Sequence, residues 1–177
     1  MCKSIGIINR AKPYLNKQSL RCLYFSFMYP YLIYCVTIWG GSNVSTILPV
    51  VRTQKRALRC IFSVSKDTPS LPLFHELNVL QFSKVYELQM LLFVYKFKIS
   101  ALPKVFDSFF TRNIDVHSYR TRQILNYYPP RCKTDIGKNS VKYRGCILWN
   151  NLNSKTKSMS VSLSTFKCHI VKTCLST

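Results

Sequence analysis

The sequence predicts a mainly α-helical protein with a small extended or β part near its C-terminus and a helix at the end. Three observations carry this expectation. Apolar residues recur at helical spacing through Leu20–Gly40, Thr46–Phe62 and Gln81–Ile99. Turn-forming stretches, Gly40–Ser45 and Ser65–Pro72, separate them. From Thr111 to Arg144 no helical period persists, and basic and aromatic residues interleave instead. With 177 residues, 47% of them hydrophobic, the chain is long enough to bury a core. The expected organisation is a helical region, 1–110, followed by a basic aromatic extension, 111–177, packed as one unit.

Residues 1–19 read as a short lead-in, with Lys12-Pro13 ending any first helix. Leu20, Leu23, Tyr24, Phe27, Met28 and Tyr31 then follow the i, i+3, i+4, i+7 rule. No charge occurs between Arg21 and Arg52, so this stretch is expected to be the buried central element. Pro30 should bend or interrupt it. Leu32, Ile33, Val36 and Trp39 carry the pattern on until Gly40-Gly41 stops it. Ser42, Asn43 or Ser45 can cap the next helix, Thr46–Phe62. Its inward set is Ile47, Val51, Leu58, Ile61 and Phe62; Arg52, Lys55, Arg56 and Arg59 form one row on the other side. Unpaired like charges at that spacing cost a helix roughly 0.2–0.5 kcal/mol per pair. A phosphate backbone would neutralise them; a merely solvated face is the alternative.

Leu73–Leu77 reads as a helical turn. The helix over Gln81–Ile99 has a broad apolar face of Phe82, Val85, Tyr86, Leu88, Leu92, Phe93 and Tyr95. Leu102-Pro103 ends it, and Val105–Phe110 forms another short helix. A two-stranded piece is expected from Val116–Thr121 and Ser140–Gly145. The last helix starts at Ser162 or Ser164, with Leu163, Phe166, Ile170 and Cys174 facing inward.

Twenty-six Lys and Arg stand against six Asp and Glu, a formal net charge of +20. A domain this basic usually meets a polyanion, most commonly nucleic acid. The binding candidates are Arg52, Lys55, Arg56 and Arg59, joined in the basic aromatic region by Arg120, Arg122, Arg131, Lys133, Lys142 and Arg144. No GxxxxGK[ST], HExxH, GxSxG or CxxC occurs, and His75, His117 and His169 have no patterned nucleophile partner. Two-metal phosphoryl transfer needs converging carboxylates, and six scattered acids supply no candidate pair. The expectation is no catalytic residue, no metal, no cofactor and no small-molecule substrate. The eight cysteines read as small hydrophobes, because no secretory signal is visible. A zinc site from Cys132, Cys146, Cys168, His169 and Cys174 is the alternative, with spacings that match no standard knuckle. The setting is nuclear or cytoplasmic rather than secreted or membrane. The rivals are a transit peptide at the acid-free N-terminus and a membrane span over Leu23–Trp39, which is short and carries Pro30 and several tyrosines.

The string LYFSFMYPYLIYCVTIWGGS resembles the segment that follows the polymerase core in non-LTR (LINE-type, Jockey-like) retrotransposon reverse transcriptases. The shared positions are Leu23, Tyr24, Ser26, Pro30, Leu32, Tyr34, Cys35, Trp39 and Gly40. Gln54, Lys55, Arg56, Ala57, Leu58 and Arg59 resemble the family's Leu-Gln-Lys-Arg-Ala-(Ile/Leu)-Arg helix. PLFHELNVLQFSKVYELQMLLFVYK, HSYRTR, PPRCKT and SVKYRGCILWNNL resemble its later blocks, in the family's order. Two positions depart, Cys146 and Asn153, where the family usually has Pro. The resemblance implies a thumb-like helical bundle with its C-terminal extension, without the fingers and palm that hold the catalytic aspartates and Mg²⁺. It implies a role in gripping the RNA/DNA template–primer backbone, with Lys55, Arg56 and Arg59 as the foremost contacts, and it implies that this chain alone is inactive. Two other classes remain open: a decayed or domesticated reading frame without a nucleic-acid role, and a small basic membrane-associated protein.

Overall fold

The computed structural model describes residues 1–116 and 123–175. Among them the chain is mainly α-helical, as the apolar spacing predicts. Its contacts divide it into two compact units: Met1–Tyr86 with the end of the chain from Lys172, and Glu87–Val171. The division falls inside the helix Phe82–Lys98.

In the first unit α1 (Cys2–Ala11) stops just before Pro13. Asn16 then caps α2 (Lys17–Phe27), its Oδ1 accepting the Ser19 N–H at 2.8 Å. The uncharged stretch continues as two further pieces, α3 (Tyr29–Ile33) and α4 (Val36–Trp39). Each break has a cause. Pro30 has no N–H to give the Ser26 carbonyl, so α2 ends at Phe27 and Pro30 sits in the first turn of α3. Cys35 adopts a left-handed backbone, φ 49°, between α3 and α4.

Leu20, Tyr24, Met28, Leu32 and Val36, four residues apart across both breaks, are all buried. The one buried face that the spacing predicts is present, and the opposite face is open. Phe27, Tyr31, Tyr34 and Ile38 are 42%, 60%, 76% and 75% exposed. Three short helices bury one stripe fully; Leu23, Phe25, Tyr29, Ile33 and Trp39 are half-buried beside it, and Phe27, Tyr31, Tyr34 and Ile38 face solvent.

Helix α5 (Val44–Phe62) follows Asn43 and buries Gln54, Ala57, Leu58 and Ile61. Gln54 is completely buried, a position the apolar pattern passes over. Its Nε2 donates to the Tyr24 hydroxyl and the Leu80 carbonyl, both at 2.9 Å, and its Oε1 accepts the Phe82 N–H at 2.9 Å. That last bond satisfies a donor at the start of α7 (Phe82–Lys98), which otherwise lacks an intrahelical acceptor. Trp39 stacks on Phe82 at 5.3 Å, and its Nε1 donates to the Tyr34 carbonyl at 2.7 Å. Gly40 is required by close approach: a Cβ there would lie 2.6 Å from the Tyr86 ring and 2.5 Å from the Val36 carbonyl. Between α5 and α7 in the chain comes α6 (Leu71–Glu76), which buries Leu73 and Phe74.

The second unit gathers on the later part of α7 around aromatic rings. Tyr95 stacks on Phe166 with centroids 4.0 Å apart, and Phe93 meets Phe106, Phe109 and Phe110 edge-on. Such ring pairs add about 0.5–1.5 kcal/mol each beyond the area they bury. The expected short helix after Pro103 is a 3₁₀ turn, Lys104–Phe106. Two four-residue helices, α8 (Asn113–Val116) and α9 (Asp135–Lys138), punctuate the basic region.

Ser140–Gly145 is not a strand. It begins α10 (Val141–Asn150), where the Ser140 hydroxyl accepts the Tyr143 N–H at 3.3 Å. Gly145, Cys146 and Trp149 are buried at helical spacing. A Cβ at Gly145 would meet Val94 at 3.1 Å and Phe110 at 3.2 Å, so the absence of a side chain lets α10 close on α7. Most of the other proposed strand, Val116–Thr121, lies outside the described residues. Extended pairing does occur, but with another partner. Tyr128 N–H donates to Thr111 O at 2.8 Å and Asn113 N–H to Asn126 O at 2.9 Å, around a single antiparallel bridge between Arg112 and Tyr127. The Asn150 amide completes this edge, donating to Tyr127 O at 2.7 Å and accepting its N–H at 3.0 Å. After α11 (Ser154–Ser158), Ser162 caps α12 (Leu163–Leu175), which buries Phe166 and Ile170.

Candidate nucleic-acid interface

The inward set on α5 fixes where its cations go. With Gln54, Ala57, Leu58 and Ile61 buried, Arg52 and Arg56 stand in solvent, and Lys55 and Arg59 are half-buried. Among the described residues none of the four pairs with a carboxylate. Arg59 Nε donates to the neutral Thr68 carbonyl at 3.0 Å. Other cations of this unit are committed to structure. Lys17 pairs with Glu76 at 3.0 Å and lies 4.8 Å over the Phe62 ring, while Arg21 bonds Leu77 O at 2.7 Å and lies 4.8 Å over Phe25.

The lower half of the α5 row opens onto a cleft of about 760 Å³ against α1. Lys12, Arg56, Arg59 and Lys66 line it together with Asn9 and Ser63, and no described carboxylate does. Lys12 and Lys66 were not singled out by sequence. They lie on α1's end and on the loop after α5, and no periodicity links them to the row. The one signal available was that no acid precedes Asp67.

The remaining candidates belong to the second unit. Arg131 and Lys133 are exposed on the segment before α9, and Arg144 is exposed on α10. Lys142 is half-buried, its Nζ 5.8 Å over the Phe109 ring. None of them lines the cleft just described, and Arg120 and Arg122 lie outside the described residues.

Among the described residues no three of His, Cys, Asp and Glu gather into a metal-holding group, so the cysteine and histidine set considered for zinc is not brought together. Cys146 is fully buried, and desolvation pushes its thiol up to about 11. His169 Nε2 lies 3.3 Å from the Thr156 hydroxyl. The uncharged Leu23–Trp39 run is divided among α2, α3 and α4, and among the described residues no helix is long and apolar enough to cross a membrane. No family model, curated protein or solved structure matches the chain.

Proposed function

We propose that the chain is the thumb and C-terminal region of a non-LTR retrotransposon reverse transcriptase. In this reading it binds the backbone of an RNA/DNA template–primer without reading sequence. The observation that carries it is the acid-free row on α5, accessible to solvent and continued into a cleft where Lys12 and Lys66 join Arg56 and Arg59. Phosphate diesters are the ligands that relieve such an array, because each contact releases counterions and offsets like-charge repulsion. In this reading the catalytic carboxylates and Mg²⁺ would belong to the family's palm domain, not to these residues.

Fluorescence anisotropy with a labelled RNA/DNA hybrid at two salt concentrations tests this. With about six phosphate contacts, log K should fall against log salt with a slope near −5. Binding that ignores salt, or no binding, would sink the proposal. A second reading, a decayed frame with no nucleic-acid role, is favoured by the bare apolar face of Phe27, Tyr31, Tyr34 and Ile38. Insolubility relieved by adding a palm domain, with no hybrid binding by the soluble product, would select it.

A further inference from the structure

The second unit holds another concentration of positive charge, one that neither the sequence motifs nor the proposed interface uses. Lys98 at the end of α7, Arg112 on the extended segment and Lys157 on α11 line one cleft of about 480 Å³. Tyr127, Trp149 and Asn126 form much of its remaining wall, and no described carboxylate lines it.

Among the described residues the hydrogen-bond partners of the two lysines are neutral. Lys98 Nζ donates to the carbonyls of Lys157 and Met159 at 2.7 and 2.9 Å. Lys157 Nζ donates to Asn150 O at 2.6 Å and to Asn126 Oδ1 at 3.2 Å. An ammonium carries three protons, so these contacts leave each lysine one more to give. Arg112 lines the cleft beside Tyr127, whose hydroxyl pKa is raised by burial and eased back by the Arg112 charge. The nearest carboxylate in sequence, Asp115, accepts the Arg112 backbone N–H at 3.2 Å. Desolvation holds both lysines below the usual range, and the Arg112 charge lowers Lys98 further. Backbone carbonyls hold the ammoniums in place without neutralising them, which is an arrangement that favours an incoming anion.

We propose that Lys98, Arg112 and Lys157 form a binding site for a phosphate monoester dianion. Two fixed ammoniums and a planar guanidinium suit a compact group with three terminal oxygens and about two charges better than a diester with one. The monoester can come from a free phosphate or nucleotide, or from the terminal phosphate of a polynucleotide. The site is independent of the α5 row.

Lysine footprinting of the full chain tests it. The protein is treated with an amine-acylating reagent, with inorganic phosphate or with chloride at matched ionic strength, and labelling is read by mass spectrometry. Phosphate should lower labelling of Lys98 and Lys157 at least threefold and leave exposed Lys104 and Lys155 unchanged. In Arg112→Gln, which alters an exposed side chain, the protection should weaken at equal phosphate. Protection by a 5′-phosphorylated dinucleotide but not by its 5′-hydroxyl form, at concentrations where phosphate alone is ineffective, would identify a polynucleotide end as the source. Equal protection by both anions would identify free phosphate. Unchanged labelling at Lys98 and Lys157, or an equal fall at every lysine, would overturn the proposal. An Arg56→Gln, Arg59→Gln variant separates the two readings: it should lose hybrid binding and keep phosphate protection.

Discussion

Gln54 resembles a surface position in sequence but ties three parts of the first unit together. It stands beside Lys55 and Arg56 in a helix rich in cations, yet it is completely buried, and its amide joins α2, the Leu80 carbonyl and the start of α7. Both amide donors and the acceptor are used, so the site is polar but satisfied. Gln54→Leu keeps the volume and strands the three partners. An unsatisfied buried polar group costs about 1–3 kcal/mol, so a total loss of about 3 kcal/mol is expected. It should appear as a lower urea midpoint at unchanged m. A loss under about 1 kcal/mol would mean that water replaces the amide. Ser100 gives the opposite sign. It ends α7 in the left-handed region, φ 53°, with the Ala101 N–H closing on Lys96 O at 2.9 Å. A chain with only five glycines has closed this helix with a residue that has a Cβ. Ser100→Gly should therefore raise stability by about 0.5–1 kcal/mol in the same assay, and a decrease would show that the serine is held by something other than its backbone.

Helix α5 carries structure and charge on different sides, so the two can be varied separately. Arg52→Glu places an acid three and four residues before Lys55 and Arg56, the orientation that stabilises a helix by about 0.3–0.5 kcal/mol per pair. If the row grips phosphate, the same change weakens hybrid binding and makes the salt slope shallower by about 1. Thermal melting and anisotropy should thus move in opposite directions; a parallel fall in both would mean that Arg52 supports the fold. This helix was legible because its charges and its core recur with one period. So was α7, and Lys12-Pro13 and Pro30 announced real interruptions. The start of α10 was not legible. Val141, Tyr143, Ile147 and Trp149 favour strands by propensity, and burial of Gly145, Cys146 and Trp149 on helical spacing outweighs that preference. The break at Cys35 was hidden because a non-glycine at φ 49° leaves no mark in sequence. Both clefts were hidden for a further reason. Lys12 and Lys66 reach Arg56 and Arg59, and Arg112 reaches Lys98 and Lys157, only through the path of the chain.

For the whole molecule, two properties oppose each other: a net charge of +20 and an uncovered apolar stripe on α2 to α4. At low ionic strength, like charge keeps copies apart. Screening shortens the reach of that repulsion from about 10 Å at about 0.1 M salt to about 3 Å at about 1 M. The attraction between apolar faces is not screened, and a salting-out anion strengthens it. The chain should therefore be monomeric in dilute buffer and associate as salt rises, the reverse of a protein held together by ion pairs. Sedimentation velocity across a salt series measures this directly. Tyr34 and Ile38 are 76% and 75% exposed, so Tyr34→Lys with Ile38→Lys disturbs little of the core. The double variant should stay monomeric through the series, with an unchanged urea midpoint. If it associates as the parent does, the contact lies elsewhere on the surface. If association weakens as salt rises, charge rather than apolar surface governs it. The outcome also sets the conditions for the hybrid titration, because a polyanion neutralises the same cations as salt does. Anisotropy gains from wild-type chains crowding on one duplex would be absent with the double variant, whose α5 row is intact, and what remained would be the phosphate contacts alone.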